Sequence, residues 1–296
     1  MDNILKNNMS LLMPVHGKAP FLSAAIESVY RANKVNIEFI IILDRCENTE
    51  IWETVELCPP NIEISVLTSN APGIVPALNL GIENAKHELV ARLDSDDLAC
   101  PGRFISQIEF MNTYQNVVCV GTQMVFIDEN GHEFGHTNYP VKHHNIMSRM
   151  KYQNCIGHPS VMFKKTLVQE LGSYRQVLAG SEDYDLWLRL IFAGKNVGCT
   201  EEILQAFSVD SNLSKRRGGV KFISSEFALH RLIRSKSSIN VFVLWVRLIS
   251  RLAFRLSPQI IRKAHRVRFQ VIKSPEYEPN LFEFANNPPR RIIRVS

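Results

Sequence analysis

The chain has no uninterrupted apolar run of 18 residues, so no segment reads as a membrane-spanning helix. It has no C-x-x-C. Its six cysteines (Cys46, Cys58, Cys100, Cys119, Cys155 and Cys199) are scattered, which argues against a zinc site or a disulfide framework and for a reducing interior. Internal repeats and low-complexity tracts are also missing. Before Pro14 stands one lysine, Lys6, and an apolar stretch too short and too late for a secretory signal. These absences lead to the expectation of a cytoplasmic protein. Acid is scarce in one region only. Residues 212–296 hold 18 Lys/Arg against 4 Asp/Glu, a charge of +14, whereas residues 1–211 hold 16 against 25, a charge of −9. The overall +5 therefore conceals two parts suited to different partners.

What is present is ordinary globular composition, 45% hydrophobic and 21% charged, enough for a real core. Ser10 to Val15 reads as a short strand broken by Pro14 and followed by a turn at His16-Gly17-Lys18. Phe21 to Tyr30 puts Phe21, Leu22, Ala25, Ile26 and Val29 at helical spacing. Glu38 to Leu43 (EFIIIL) is apolar after its first residue, the pattern of a strand buried on both faces. Ile62 to Leu67 alternates, Ala77 to Ala85 reads as a helix, and Leu89 to Leu93 as a strand. Strand candidates follow at Asn116–Val125 and Ser160–Phe163, and a helix at Tyr184–Phe192. Strands alternating with helices predict an α/β domain with a largely parallel sheet. Ligands of such sheets sit at the carboxyl ends of strands, where His16, Asp44 and Asp94 all fall.

Residues 92–99 read RLDSDDLA and concentrate three carboxylates, Asp94, Asp96 and Asp97. Alternate oxygen donors on a turn suit one hard cation such as Mg²⁺ or Mn²⁺, which can bridge to phosphates. The competing reading is a solvated acidic turn that caps the next helix, a role expected for Asp97. Arg92, in an apolar strand, demands a partner, and an Arg–Asp ion pair would supply one. Asp44 ends the most apolar strand, where its carboxylate can meet a base or ribose or simply form a turn. A second acidic group, Ser181-Glu182-Asp183-Tyr184-Asp185, opens the Trp187 helix. Ser181 or Asp183 can serve there as an N-cap, and a carboxylate at such a helix start also suits a general base.

Five ordered blocks carry a resemblance: SLLMPVHGKAPFLSAAIESV, FIIILDRCEN, NAPGIVPALNLGIENAKHELVARLDSDDLACPGRF, GHPSVMF and SEDYDLWLRL. Over about residues 9–210 the chain resembles the family 2 glycosyltransferases. These have the GT-A fold, a nucleotide-binding Rossmann-like domain with a mixed, mostly parallel sheet, and they use nucleotide-diphosphate sugars. The resemblance implies inverting transfer in bacterial polysaccharide or glycolipid synthesis. It implies that Pro14, Val15 and His16 wrap the nucleotide and that Asp44 contacts the base, usually uracil. Gly73 and Asn79 match the segment beneath the pyrophosphate. Arg92, Asp94 and Ser95 match donor contacts, Asp96 the ligand of Mn²⁺ or Mg²⁺, and Asp183 the base that deprotonates the acceptor. His158, Glu182 and Asp210 are candidates for an acceptor or metal contact. The acceptor expected is a glycan or a lipid-linked saccharide.

Two departures stand out. Leu43-Asp44-Arg45 replaces the family's frequent Asp-Asp-Gly, and Phe207-Ser208-Val209-Asp210 replaces an aromatic-Arg-x-His element. Rival readings start from the same residues. A haloacid-dehalogenase-type phosphatase also follows a strand with D-x-D, but Leu98 stands where it needs Thr or Val. A sugar-nucleotidyltransferase lacks its basic Gly-rich loop here. A non-catalytic nucleotide- or nucleic-acid-binding protein would use the acidic crevice and the basic tail, yet no nucleic-acid motif is present, so nucleic acid is not the expected partner.

The expected organisation is a catalytic domain over residues 1–215 and a basic, largely helical extension over residues 216–296. In the extension, Phe242, Trp245, Leu248, Ile249, Leu252, Ala253 and Leu256 recur at helical spacing, with Arg247, Arg251 and Arg255 on the other side. This pattern suits a helix in an anionic membrane interface over residues 239–268, peripheral on the inner face of the plasma membrane, each surface cation adding ~1 kcal/mol. The alternative is a helix packed on the catalytic domain with its basic face in water. Residues 274–296, rich in Pro and Asn, read as a flexible end or a docking segment.

Overall fold

The strand predicted to be buried on both faces lies inside the sheet, with helices over each face. The computed structural model describes residues 8–17, 19–31, 35–44, 51, 53, 63–128, 130–176, 180–209 and 219–257. β1 (Asn8–His16), α1 (Leu22–Arg31), β2 (Asn36–Asp44), β3 (Glu63–Thr68), α2 (Ile74–Asn84) and β4 (Leu89–Arg92) come first. Then follow β5 (Leu98–Ala99), α3 (Arg103–Thr113), β6 (Val117–Ile127), β7 (Glu133–His136), α4 (His143–Met150) and β8 (Met162–Lys164). The last are α5 (Lys165–Glu170), α6 (Glu182–Phe192), β9 (Asn196–Ser208), α7 (Ile223–Lys236) and α8 (Val241–Leu256).

The strand order is β3-β2-β1-β4-β8-β6-β9-β5, with β7 paired to β6. The first four strands are parallel, and β6 is parallel to β9. β8 runs antiparallel to both β4 and β6 through short pairings, so the sheet is mixed but mostly parallel. Pro14 is tolerated in a central strand because β4 stops pairing at Leu12↔Arg92, two residues earlier. Its missing N–H therefore breaks no ladder bond to β4.

Each face of the sheet has its own apolar layer. Leu12, Ile40, Ile42 and Val90 pack with Leu78 and Ile82 of α2 and Trp187 of α6. Leu11, Met13, Phe39 and Ile41 pack with Ile26 and Val29 of α1 and Phe104 of α3. Gly81 lets α2 come close: a Cβ there would meet Leu12 Cδ2 at 3.0 Å and Ile42 Cδ1 at 3.1 Å. Among the described residues, no helix is long and apolar enough to cross a membrane.

The C-terminal helices depart from the sequence expectation. Leu229 and Ile233 of α7 and Leu244 of α8 join the same apolar cluster as Trp187. The arginines of α8 face inward: Arg247 is 5% and Arg255 6% exposed. Glu226 of α7 is fully buried and takes Arg251 Nη2 and Arg255 Nε, each at 2.9 Å. Arg255 also lies over the Phe222 ring at 4.4 Å. Phe242 and Ile249 are left outside, and Trp245 is 44% exposed with its ring 4.9 Å from that of His230. Both readings of the arginines, at an anionic surface or in water on a packed helix, are thus corrected, because one buried acid on the neighbouring helix captures two of the three. Leu248, grouped with the apolar stripe, is buried as well.

Candidate active site

β1 and β2 pair in register to their last residues, so His16 and Asp44 end side by side. Asp44 is 5% exposed. Its Oδ2 lies 3.1 Å from His16 Nδ1 and accepts the Gly73 N–H at 2.9 Å. His16 Nδ1 also lies 3.2 Å from the Asp44 carbonyl. Both partners are acceptors, so Nδ1 carries a proton. Gly73 opens α2 with φ 103°, a conformation that favours glycine, and this aims its N–H at the carboxylate. Pro14 and Val15 are buried immediately before, leaving their backbone as what they can offer a ligand.

β4 leads into the acidic turn. Arg92 is 5% exposed and pairs with Asp94 Oδ1 at 2.5 Å. The Arg92 carbonyl accepts from Arg103 Nη2 at 2.5 Å, and the same nitrogen reaches the Pro159 carbonyl at 3.1 Å. Arg103 is wholly buried, and burial pulls its guanidinium down to about 9. Along the turn, Asp94 and Ser95 are half-buried and Asp96 is exposed.

Asp97 behaves unlike its neighbours. It is wholly buried and accepts from Gln205 Nε2 at 2.8 Å and the Ser208 N–H at 2.9 Å, both on β9. Burial first, then the charges of Asp94 and Asp96, raise its carboxyl well above the usual carboxylate range. The helix-cap role expected for Asp97 is corrected: α3 starts at Arg103 behind Gly102, with no side-chain cap.

The second half of the site comes from the turn at His158–Ser160 and the start of α6. Ligand-type atoms of His158, Glu182 and Asp183 lie within 4.8 Å of one another. His158 Nε2 is 2.9 Å from the Tyr174 hydroxyl, and its ring stands edge-on to Trp187. Burial, then Arg92, keeps His158 neutral well below its ordinary pKa. Burial, then the Asp183 charge, pushes Glu182 up to about 7, and Arg92 pulls the other way. Arg92 thus pairs with the acidic turn while its field reaches the His158–Glu182 cluster, joining the two halves.

Asp183 is half-buried, and its Oδ2 accepts from Asn154 Nδ2 at 2.7 Å. Asn154 is itself oriented, since its Oδ1 accepts the Ile156 N–H at 3.2 Å. Ser181 holds the N-cap position but makes no side-chain cap. Behind Asp183, the buried Asp185 is paired with Arg175 and Arg189, which anchors the first turn of α6.

The expected residues therefore gather into three groups: His16, Asp44 and Gly73; Arg92 and Asp94, with Ser95 and Asp96 on the same turn; and His158, Glu182 and Asp183. Asn79 stands apart from a donor contact: its amide clamps the backbone of Tyr174, accepting at 3.0 Å and donating at 2.9 Å. Asp210 lies outside the described residues. Asn154, Tyr174, Arg103 and Gln205 were missed. Arg103 stands inside the block ending CPGRF but was given no role there, and the other three are isolated residues without period or motif, Asn154 standing four residues before His158. For a divalent cation, Asp94 and Asp96 offer hard oxygen donors on one turn, and the exposure of Asp96 leaves room for water ligands. These residues fit Mn²⁺ or Mg²⁺.

Comparison with known proteins supplies the family and the fold. Residues 10–172 match the model described as glycosyl transferase family 2. An amylovoran biosynthesis glycosyltransferase, AmsE of Erwinia amylovora, is 36% identical over 54% of this chain and 59% of its own length. The Escherichia coli UDP-Gal:alpha-D-GlcNAc-diphosphoundecaprenol beta-1,3-galactosyltransferase is 28% identical over 86% of this chain and 93% of its own. The crystal structure of S. aureus TarS 1-349 in complex with UDP-GlcNAc superposes with a TM-score of 0.63 at 13% identity, covering 83% of this chain and 71% of that one. The mannosyltransferase PcManGT from Pyrobaculum calidifontis, in complex with GDP-Man and Mn²⁺, gives 0.59 at 12% identity, covering 89% and 76%. The fold, the carboxylate-lined strand ends and the matched family model together make this chain a member of glycosyl transferase family 2, and the protein is a glycosyltransferase.

Proposed function

We propose that the protein transfers a sugar, with inversion, from a nucleotide-diphosphate sugar to a hydroxyl of a glycan or lipid-linked saccharide. UDP is the nucleotide we assign, and the products belong to cell-surface polysaccharide synthesis. One observation carries the reading: a carboxylate at a helix start, Asp183, is held by Asn154, and its neighbour Glu182 lies in the field of Arg92, the partner of Asp94 on the acidic turn. Catalysis falls to residues 1–215 and the basic extension to residues 216–296.

In this reading Asp44, with His16 and the Gly73 N–H, receives the nucleoside, where a carboxylate can accept a base or ribose proton. Arg92 sets a positive charge beside the diphosphate, and Asp94 and Ser95 meet the ribose or sugar. Asp96 would hold Mn²⁺ or Mg²⁺, and the bound cation would offset charge on the departing diphosphate. Asp183 accepts the proton of the acceptor hydroxyl, and Asn154 fixes which carboxylate oxygen faces it. The acceptor oxygen forms its bond to the anomeric carbon as the bond to the diphosphate oxygen breaks on the opposite face. His158 and Glu182 line the acceptor side.

Support comes from relatives. One is named for UDP-Gal and a diphosphoundecaprenol-linked acceptor, and the two structural neighbours are complexed with UDP-GlcNAc and with GDP-Man and Mn²⁺. A lipid-linked acceptor also fits a peripheral seat on an anionic membrane. The test is a thermal-shift panel of UDP-, GDP-, dTDP- and CMP-sugars with and without Mn²⁺. A metal-dependent rise with UDP-sugars alone is expected. A rise with another nucleotide class would reassign the base, and no rise with any would overturn the donor assignment.

A further inference from the structure

α8 is turned inside out relative to a water-facing helix. Phe242, Trp245, Val246, Ile249, Ala253 and Leu256 share one stripe along its whole length and face outward. Phe242 is 74%, Ile249 63% and Leu256 55% exposed. The opposite side carries Leu244, Arg247, Leu248, Arg251 and Arg255 and is spent on the protein. Large side chains in an unbroken exposed stripe are expected to be covered by something.

Charge identifies the cover. Arg231, Arg234 and Lys236 at the end of α7 are exposed, and the sequence has no Asp or Glu between Glu226 and Glu276. A second copy on the stripe would bring two such cationic sets together, which is repulsive. An anionic bilayer meets both features, because acyl chains take the stripe and headgroups take the flanking cations. The position is also informative. Arg247 donates to the Tyr152 carbonyl at 3.1 Å and to the Tyr184 hydroxyl at 3.3 Å, and Tyr184 directly follows Asp183.

We propose that α8 docks in the interface of an anionic phospholipid bilayer by its aromatic-aliphatic stripe, its arginines serving as internal anchors, Arg247 to the base-bearing helix and Arg251 and Arg255 to Glu226 of α7, rather than as headgroup contacts. The docking does not rest on the donor or the reaction, and it is measured without either.

The full-length protein is mixed with phosphatidylglycerol vesicles containing bromolipid, and tryptophan quenching and flotation are read together. Expected results are quenching in the wild type that is lost in Trp245→Phe, and at least a tenfold drop in the floated fraction for the Phe242→Ser/Ile249→Ser double variant at unchanged melting temperature. Binding to phosphatidylcholine vesicles should be at least tenfold weaker. Equal quenching in wild type and Trp245→Phe, unchanged flotation of the double variant, or no binding at low salt would overturn the proposal. So would stripe-dependent dimerisation without vesicle binding, or a Trp245 already shielded from acrylamide in the free chain. None of these outcomes bears on sugar transfer, which the nucleotide panel tests separately.

Discussion

The acidic turn after β4 and the arginine face of α8 handle charge in opposite ways. At the turn, an apolar strand stays inside and delivers Asp96 to the surface, with Asp94 half-buried beside it. On α8 the cations go inside and the aromatic stripe goes out. The difference teaches that periodicity groups residues by face only in part, since Leu248, grouped with the aromatic stripe by its spacing, is buried beside the arginines, and that a distant partner decides which face is buried. For the turn, the buried strand leaves Asp94 and Asp96 toward the surface, and β9 takes Asp97 inside. For α8, a single fully buried acid, Glu226, reverses the expectation.

Removing that acid should give the largest effect on folding. Glu226→Ala leaves Arg255 buried without its carboxylate, and breaking such a pair typically costs about 3–5 kcal/mol. Urea denaturation should show a loss of that order. A loss under about 0.5 kcal/mol, the range of ordinary surface changes, would mean that the inverted packing does not hold α8 in place.

Glu182 gives a smaller, pH-dependent effect. Burial and Asp183 raise its folded pKa to about 7, above the ~4.3 of an unfolded glutamate. The native state therefore keeps a proton that the unfolded chain releases. The stabilisation is complete below about pH 4 and is lost as pH rises through about 7. Glu182→Gln should remove that decline, roughly 3 kcal/mol across the window, as read by denaturation at several pH values. An unchanged pH slope would mean that Glu182 does not carry the proton.

The smallest folding effect belongs to the exposed stripe. Phe242→Ser and Ile249→Ser should each shift stability by less than about 0.5 kcal/mol, since neither packs inside. A much larger loss by urea denaturation would place the stripe in the core and erase the contrast with the acidic turn.

Much of the fold could be read because its strands obey simple rules. EFIIIL is buried on both faces as its composition demands, His16 and Asp44 end two paired strands side by side, and Asp94 follows β4, whose pairing with β1 stops earlier, at Leu12↔Arg92. The first turn of α6 was likewise visible in its acids. What stayed hidden depended on contacts far apart in sequence. Asp97 differs from Asp96 only because Gln205 and Ser208 on β9 enclose it. Asn154 reaches Asp183 through a turn with no repeating pattern, and Asn79 holds Tyr174 from across the fold. The arginines of α8 could be grouped from sequence, but their direction required Glu226.

The most direct test of the central claim pairs two measurements on Asp183→Asn. Calorimetric donor affinity in Mn²⁺ should stay within about twofold of wild type, while transfer falls by roughly 10²–10⁴, the usual contribution of a general base. Asn154 can still bond the substituted side chain, so the site should keep its shape. Transfer at the wild-type rate in this variant would contradict the assignment of Asp183 as the base.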